Sequence, residues 1–216
     1  MNPGKGDKSV EKVLILGSGK FGRRAVMALQ GKNRLVTIAD QCLAALPEPT
    51  ANLALIYGEA IDVLCQAGSQ YTWVVPAIPI HVALAWLLAQ FGAEGIDYEE
   101  VDVPADFQVP NPFRINKTLY ASFASHLCPE DCSEPSGTCY LTGEEREQPL
   151  HQVLQGQTSD RYEVEVILSH QLAPGVGGIR MLDLHDLFNR LRRRKGRVVL
   201  ATSCSCHAVI DSFRIK

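Results

Sequence analysis

The stretch "KVLILGSGKFGRRAVMALQ", residues 12–30, decides the fold of this chain. Its apolar run, residues 13–16, is typical of a strand that is buried on both faces of a parallel sheet. The run leads directly into a glycine-rich turn, after which Phe21, Ala25 and Leu29 recur at helical spacing. The sequence therefore predicts a strand, a tight turn and a helix in immediate succession.

The turn matches the pattern G-x-G-x-x-G, in which each glycine has a separate structural role. Gly17 permits the tight turn, Gly19 lets a phosphate approach the backbone, and Gly22 lets helix and strand pack closely. The free amide groups and the positive dipole end of the helix start favour a pyrophosphate. We therefore predict a dinucleotide-binding loop formed by Gly17, Ser18, Gly19, Lys20, Phe21 and Gly22.

An acidic residue follows at the distance that this kind of loop requires. The segment "RLVTIAD", residues 34–40, predicts a second strand that ends in Asp40, eighteen residues after Gly22. A carboxylate at this point accepts hydrogen bonds from the two ribose hydroxyls and repels a 2′-phosphate, which favours NAD(H) over NADP(H). The alternative is a loop or cap aspartate with no ligand.

The same alternation continues along the first half of the chain. The segments "NLALIYG", "EAIDVLCQAG", "YTWVVPAIP" and "IHVALAWLLAQFG" predict a strand, a helix, a strand and a helix. Such an order is typical of right-handed crossovers between parallel strands. We therefore predict an α/β fold with a doubly wound, mostly parallel sheet of the Rossmann type.

These segments resemble a known family over residues 12–92. "VLILGSGKFG", "IAD" and "YGEAIDVLCQAG" are similar to the TrkA-type (RCK) NAD-binding domain, and "WVVPAIPIHVALAWLLAQFG" is closer to saccharopine-dehydrogenase-like Rossmann proteins. Glu59 replaces the usual aspartate of the TrkA-type pattern. The other matching positions of that pattern are Gly58, Ala60, Leu64, Ala67 and Gly68.

The resemblance implies a Rossmann fold that binds an adenine dinucleotide, in either a dehydrogenase or a ligand sensor. It also implies that Ala77, Ile78 and Pro79, at the carboxyl end of the fourth strand, run beside the ribose or nicotinamide. His81 follows and either reaches a ligand or simply begins a helix.

The sequence divides into a flexible N-terminus, residues 1–10, a dinucleotide-binding domain, residues 11–95, and an α/β extension, residues 96–216. In the extension, "KTLYASFASHL" predicts a short amphipathic helix because Leu119, Phe123 and Leu127 recur every four residues. "QLAPGVGGIR" is either a second phosphate loop or a plain tight turn. Strands are predicted for "RYEVEVILSH", "RVVLATSCSCH" and "HAVIDSFRI", the last at an edge, and a helix for "MLDLHDLFNRLRRRKG".

Three cysteines, Cys128, Cys132 and Cys139, stand in the segment "LCPEDCSEPSGTCYLTG", residues 127–143. They predict a metal site in a cysteine-rich loop, residues 126–143, because thiolates must converge from short, pre-bent segments. The motif "SCSCH" provides Cys204, Cys206 and His207 at the end of a core strand as further ligands. His126 and His151 are other candidates for a fourth ligand.

Zinc and an iron–sulfur cluster fit these residues equally well, because thiolates hold both. Catalytic or redox-active thiols and ordinary packing are the alternatives. Disulfides are disfavoured because the sequence predicts a cytoplasmic protein, where thiols stay reduced. Cys42 and Cys65 have no predicted role.

Composition excludes several function classes. The chain has 216 residues, of which 46% are hydrophobic and 21% charged, which suits a packed core. A net charge of −3 disfavours nucleic-acid binding, and no apolar run is long enough to insert into a membrane.

The sequence thus predicts an NAD(H)-binding protein with a cysteine-held metal centre, most simply an NAD-dependent oxidoreductase. A non-catalytic TrkA-type NAD(H) sensor and a zinc-stapled protein without cofactor turnover are its alternatives. The expected partners are the dinucleotide, a redox protein and a second copy of the chain.

Overall fold

The computed structural model of this chain describes residues 10–31, 33–42, 47–135 and 137–216. The predicted flexible N-terminus lies outside the described residues, apart from Val10. Five α-helices are described: α1 (Lys20–Leu29), α2 (Ala60–Ala67), α3 (Val82–Ala93), α4 (Leu150–Gln155) and α5 (Met181–Leu191). The strands of the first half are β1 (Glu11–Leu16), β2 (Arg34–Asp40), β3 (Leu53–Tyr57) and β4 (Trp73–Pro76). Those of the second half are β5 (Tyr98–Val101), β6 (Phe113–Ile115), β7 (Thr118–Ser122), β8 (Glu163–Leu168), β9 (His170–Ala173), β10 (Val176–Arg180), β11 (Gly196–Ser203) and β12 (His207–Ile215).

The first sheet has the strand order β3-β2-β1-β4-β10-β9. Its first four strands are parallel, and β1 lies between β2 and β4, which explains why residues 13–16 are fully buried. The hairpin β9–β10 from the second half completes this sheet in antiparallel orientation. The predicted α/β class with a doubly wound, mostly parallel sheet is confirmed.

The second sheet has the order β6-β7-β12-β11-β8, and β5 also pairs with β12. Only β8 and β11 run parallel in it, whereas the other pairs are antiparallel. The second half therefore builds its own sheet and also extends the first one. The boundary at residues 95 and 96 stays a prediction.

Large aromatic side chains join the two sheets. Phe91 of α3 packs against Phe188 of α5 and Phe213 of β12, with ring centroids 6.0 and 6.1 Å apart. Both Phe91 and Phe213 are fully buried, and burial of one such side chain contributes roughly 1.5–3 kcal/mol. The C-terminal part of α3 is therefore held against α5 and β12.

The helix predicted for "KTLYASFASHL" is wrong, because this segment forms β7 and the loop after it. Leu119 and Ala121 alternate into the core, and residues 119–122 pair with β12, so the period is two rather than four. Leu127, the third residue of the assumed helical stripe, is 94% exposed. Tertiary pairing overrides the local pattern here.

The last strand, β12, is present as predicted but lies in the interior of its sheet, between β11 and β7. The glycines of "QLAPGVGGIR" belong to a tight hairpin, in which Gly175 has a φ of +66° between β9 and β10. Among the described residues, no helix has the length and apolar character needed to cross a bilayer.

Candidate functional site

The glycine loop, residues 17–22, connects β1 to α1. Two of its glycines are packed so closely against neighbouring backbone that no side chain fits. Gly17 has a φ of +97°, and a Cβ there would lie 2.8 Å from the carbonyl oxygen of Ala77. A Cβ on Gly22 would lie 1.9 Å from the carbonyl oxygen of Gly17. The backbone geometry therefore requires glycine at both positions, independently of any ligand.

Gly19 differs from these two glycines because a side chain there would meet open space. It stands at the N-cap of α1 with φ −65° and ψ −166°, and a Cβ there would meet no atom within 4 Å. Other residues could adopt this conformation, so the backbone does not demand glycine. The space above Gly19, at the positive end of α1, is open to an anion.

Asp40 is bonded to the glycine loop, which the sequence did not reveal. The backbone amide and the hydroxyl of Ser18 both donate to its Oδ2, each at 2.7 Å, and the Cys42 amide donates to its Oδ1 at 2.9 Å. Burial raises the pKa of Asp40, but these hydrogen bonds outweigh it, so the pKa is lowered. Asp40 is thus an ionised anchor of the loop; its Oδ2 already accepts two hydrogen bonds, so a ribose hydroxyl would bind at Oδ1.

The segment after β4 lies directly against the glycine loop. The Ala77 amide donates to the Leu16 carbonyl oxygen at 2.9 Å, and the side chain of Ile78 would contact any Cβ at Gly17. Pro79 follows and is exposed. Ala77 and Ile78 therefore adjoin the loop, where the family resemblance expects the ribose or nicotinamide, whereas Pro79 is only the next residue along the chain.

His81 lies between the two sheets, next to this segment. Its Nδ1 is 2.8 Å from Asp211 Oδ2 of β12, and its Nε2 is 2.9 Å from Thr202 Oγ1 of β11. All three side chains are buried. This chain of hydrogen bonds fixes the start of α3 against the second sheet, a structural role that sequence reasoning left open.

The cysteine-rich loop packs on the helix that follows the glycine loop. Glu130 forms ion pairs with Lys20 and Arg24 of α1. The backbone amide of Gly175 donates to the Cys132 carbonyl oxygen at 2.9 Å, and a Cβ on Gly175 would lie 1.7 Å from the Glu130 carbonyl oxygen. The loop is therefore docked between α1 and the β9–β10 hairpin.

A cavity of about 640 Å³ opens between these elements. It is lined by Phe21 and Arg24 of α1, and the apolar side chains of Leu127 and Val176 also border it. The structure brings five of the six predicted metal-site residues to this one cavity. These are Cys128, Cys132, Cys204, Cys206 and His207.

Cys139, the sixth, lies beside the cavity rather than in its lining. Its Sγ is 3.8 Å from His126 Nε2, and the two residues border a smaller adjoining space. His151, the other candidate ligand, is on α4 and does not line either space. The seven cysteines are free thiols.

His207 stands between two of the thiols. Its Nε2 is 3.6 Å from Cys128 Sγ, and its Nδ1 is 3.9 Å from Cys204 Sγ. No three His, Cys, Asp or Glu side chains in the described part of the chain converge on a point where one metal ion would sit. The four thiols of Cys128, Cys132, Cys204 and Cys206 line the cavity without meeting at one point.

The pKa values of the thiols in and beside the cavity differ widely. Burial raises the pKa of Cys204 to about 12 and that of Cys206 to about 11. Hydrogen bonds from the Thr142 hydroxyl and from nearby amides lower the pKa of Cys139 to about 7. A bound cation would be needed to keep the two buried thiols ionised at neutral pH.

Glu134 is a residue of this region that sequence reasoning missed. Its amide donates to Cys132 Sγ at 3.4 Å, and its carboxylate accepts a hydrogen bond from the Ser205 amide. It therefore ties the cysteine-rich loop to the "SCSCH" turn. Its position between Cys132 and Cys139 was its only signal in the sequence.

Two known proteins resemble this chain in sequence or structure. An uncharacterized protein of Archaeoglobus fulgidus is 28% identical over 220 residues, which cover 93% of this chain and 98% of that protein. A solved structure of a Rossmann-fold NAD(P)-binding family protein from Shigella flexneri is 22% identical, with a TM-score of 0.33. That match covers 39% of this chain and 48% of the other, so the chain spans about half of that structure's length.

A family model extends over most of the chain. It carries the description AF_1314_C, "Uncharacterized protein, C-terminal domain", and matches residues 83–216, from α3 through the cysteine-rich loop to the last strand. The chain belongs to the AF_1314_C family.

Proposed function

We propose that this protein binds NAD(H) at its glycine loop, holds a metal centre with the cysteines beside it, and acts as a dinucleotide-dependent oxidoreductase. One observation carries the proposal: the first turns of α1 and the cysteines border the same cavity. Thiols that suit a metal thus lie beside Phe21 and Arg24 of a helix whose start suits a diphosphate.

The dinucleotide half rests on the contrast among the three glycines. Gly17 and Gly22 are required by the fold, whereas the space over Gly19 is open. The TrkA-type resemblance of residues 12–92 supports the same ligand. The ionised Asp40 favours NAD(H), because a 2′-phosphate would meet its negative charge.

The metal half rests on the chemistry of the donor set. Thiolates and imidazole are ligands for zinc and for iron–sulfur clusters. Two cysteines of the set, Cys132 and Cys204, accept N–H hydrogen bonds at their sulfurs, at 3.3–3.4 Å. Such outer bonds support metal-bound thiolates, because they stabilise the negative charge on sulfur.

The residues of this chain would bind and shield the reacting groups. A bound dinucleotide supplies hydride chemistry. The buried apolar side chain of Val176 would limit water on one side of the cavity. Arg24 adds a positive charge beside the helix start.

A non-catalytic NAD(H) sensor is the second candidate, and one contact favours it. Glu130 joins the cysteine-rich loop to Lys20, a residue of the glycine loop. A diphosphate would compete with Glu130 for this ammonium group. Dinucleotide binding would then move the cysteine-rich loop, and a partner protein could detect the movement.

The test uses the full chain purified without oxygen. We expect saturable NADH binding in a fluorescence titration, bound metal in elemental analysis, and oxidation of NADH by ferricyanide, two ferricyanide ions per NADH. Binding without turnover would favour the sensor. Absence of both NADH binding and metal would overturn the proposal.

A further inference from the structure

We infer that a second, smaller cavity, lined by Thr202 and His81, binds the substrate of the proposed oxidoreductase, and that this substrate is a small neutral alcohol or the matching ketone. The inference rests on the proposed function, which supplies the dinucleotide that accepts a hydride. Thr202 contacts the substrate oxygen and is the catalytic residue. His81 and Asp211 act through Thr202 and are positioning residues.

This cavity has a volume of about 240 Å³ and lies where β4 leads into α3. Its walls are mostly aliphatic and proline residues, and the polar side chains among the lining residues belong to His81, Thr202 and Tyr120. An apolar cavity with a few converging polar groups is typical of small-molecule sites, which measure roughly 300–1,000 Å³ for drug-sized ligands. The smaller volume suits a molecule of a few carbons with one oxygen.

Ile78 connects this cavity to the glycine loop. The residue lines the cavity, and its Cγ2 would lie 2.7 Å from a Cβ at Gly17. Open α/β sheets bind their ligands at the carboxyl ends of the strands, which is where this cavity lies. It therefore adjoins the segment where the family resemblance expects the ribose or nicotinamide.

Three buried side chains form a proton path that begins at the cavity. A carboxylate can only accept hydrogen bonds, so the His81 Nδ1–H donates to Asp211 Oδ2 at 2.8 Å. In the neutral ring, Nε2 then carries a lone pair and accepts from the Thr202 hydroxyl at 2.9 Å. A hydroxyl, an imidazole and a carboxylate in this order activate the hydroxyl in Ser-His-Asp enzymes. Because all three groups are buried, they can exchange protons directly with a bound substrate.

The reaction balances with these groups and the dinucleotide. In alcohol oxidation, the substrate hydroxyl gives its proton to Thr202 Oγ1 while the Thr202 proton moves to His81 Nε2. The C–H bond at the same carbon breaks, and its hydride passes with both electrons to the oxidised dinucleotide. A carbonyl compound and an imidazolium beside Asp211 remain. The proton returns to water through Thr202 after the carbonyl compound has left.

Acyl transfer is the other reaction that such a triad performs, and the cavity suits it less well. That reaction needs free amide donors for an oxyanion. The segment beside Thr202 is poor in them, because Pro76 and Pro79 have no N–H. The Ile80 amide already donates to the Ile78 carbonyl oxygen at 2.9 Å. Proton exchange with an alcohol is therefore the chemistry that this cavity supports.

The experiment uses cyclohexanol as the probe and the full chain with ¹⁵N-labelled histidine. In the absence of any dinucleotide, cyclohexanol should shift the His81 Nε2 resonance, because its hydroxyl changes the hydrogen bond that Thr202 donates to this nitrogen. The resonance is assigned by its loss in His81→Gln. A purely structural triad would not respond to the alcohol.

The variants separate the hydroxyl of Thr202 from its shape. Thr202→Val removes the hydroxyl, so cyclohexanol should bind about tenfold more weakly, and Thr202→Ser should bind it like the parent. The control is Thr37→Val, because Thr37 is a buried threonine of β2 that does not line this cavity. With NAD⁺, the kcat for cyclohexanol should fall about 100-fold in Thr202→Val, while its NADH affinity stays unchanged.

The outcomes distinguish this inference from the proposed function. An unmoved His81 resonance in the parent, or equal cyclohexanol affinity in Thr202→Val and the parent, would overturn the substrate site and leave NADH binding standing. Parent-like kcat in Thr202→Val, or a parent that binds cyclohexanol and NAD⁺ without turnover, would overturn the proton path. A parent that shifts its His81 resonance but binds no NADH would overturn the proposed function and retain the alcohol site.

Discussion

The glycine loop and the cysteine-rich loop adjoin one cavity but are specified in opposite ways. The glycine loop is local: six consecutive residues turn from β1 into α1, and Gly17 and Gly22 fit only because they lack a Cβ. The cysteine cavity is assembled from segments about seventy residues apart in the chain, Cys128 and Cys132 on one side and Cys204 and Cys206 on the other. The glycine loop, which is formed by backbone, can therefore be predicted from the sequence. The cavity, which is formed by side chains from distant segments, can be predicted only in part.

The two loops also differ in what would hold their ligands. The glycine loop offers backbone amides and a helix dipole, so its ligand would be recognised by charge and shape. The cysteine-rich loop offers thiols, which bind metals by direct coordination. Glu130 connects the two regions through Lys20 and Arg24.

The largest expected effect is on stability and comes from adding a Cβ at Gly22 of the glycine loop. Gly22→Ala places a Cβ against the Gly17 carbonyl oxygen, so we expect a loss of about 3 kcal/mol in the free energy of unfolding, measured with urea. The matched control is Gly92→Ala in α3, where no atom lies within 4 Å of the added Cβ. It should be stabilised by roughly 0.5–1 kcal/mol. Equal stability of Gly22→Ala and the parent would contradict the local account of the loop.

The next largest effect is on NADH binding, and a substitution at Gly19 should change it with little change in stability. Gly19→Val adds a side chain to open space, so the free energy of unfolding should fall by no more than about 1 kcal/mol, the cost of a poor N-cap residue. NADH should bind about thirtyfold more weakly in a fluorescence titration, because the side chain occupies the phosphate position. Unchanged NADH affinity would mean that the diphosphate does not lie here.

Asp40→Asn should weaken NADH binding about tenfold and reduce the preference for NADH over NADPH. Ser18→Ala is the control, since it removes one loop anchor and keeps the carboxylate. If the two variants lose equal NADH affinity and keep the same cofactor preference, Asp40 anchors the loop and does not bind the ribose.

Asp40 also predicts a pH dependence of stability. Its folded pKa is lowered, so its contribution is complete above the unfolded pKa of about 4 and is lost as the pH falls through the folded value. The parent should therefore lose more stability below this pH than Asp40→Asn does, in urea unfolding across the acid range. Parallel losses in both proteins would show that the hydrogen bonds to Ser18 do not stabilise the fold.

The smallest effect concerns the contact between the two loops. Glu130→Gln releases Lys20 and Arg24 for a diphosphate, so NADH should bind about twofold more tightly at low salt. The gain should shrink as salt is added, because exposed charges are screened. Weaker NADH binding by Glu130→Gln would show that the ion pairs support the site.

Local chemistry explains what the sequence could predict. The apolar run of β1, the glycine turn and the periodicity of α1 are all encoded within residues 12–30, and the parallel order of the first strands follows from the alternation. The clustering of Cys128, Cys132 and Cys139 in one proline-rich loop also indicated that they act together.

Long-range pairing explains what the sequence could not predict. The sequence pattern of β7 predicts a helix, and only its pairing with β12 makes the segment a strand. The hairpin β9–β10 joins the first sheet although its residues lie far along the chain from β4. The Ser18 hydrogen bonds to Asp40 require two strand ends to meet. The same limit applies to the cavity, because nothing in the sequence shows that Cys204 and Cys206 meet Cys128 there.

The most direct measurement is a crystal structure of protein purified without oxygen and soaked in NADH, with anomalous data collected at the iron and zinc edges. We predict a diphosphate over Gly19 and an anomalous metal signal in the cavity beside α1. A glycine loop with no dinucleotide above it, together with a cavity that contains no metal, would contradict the account.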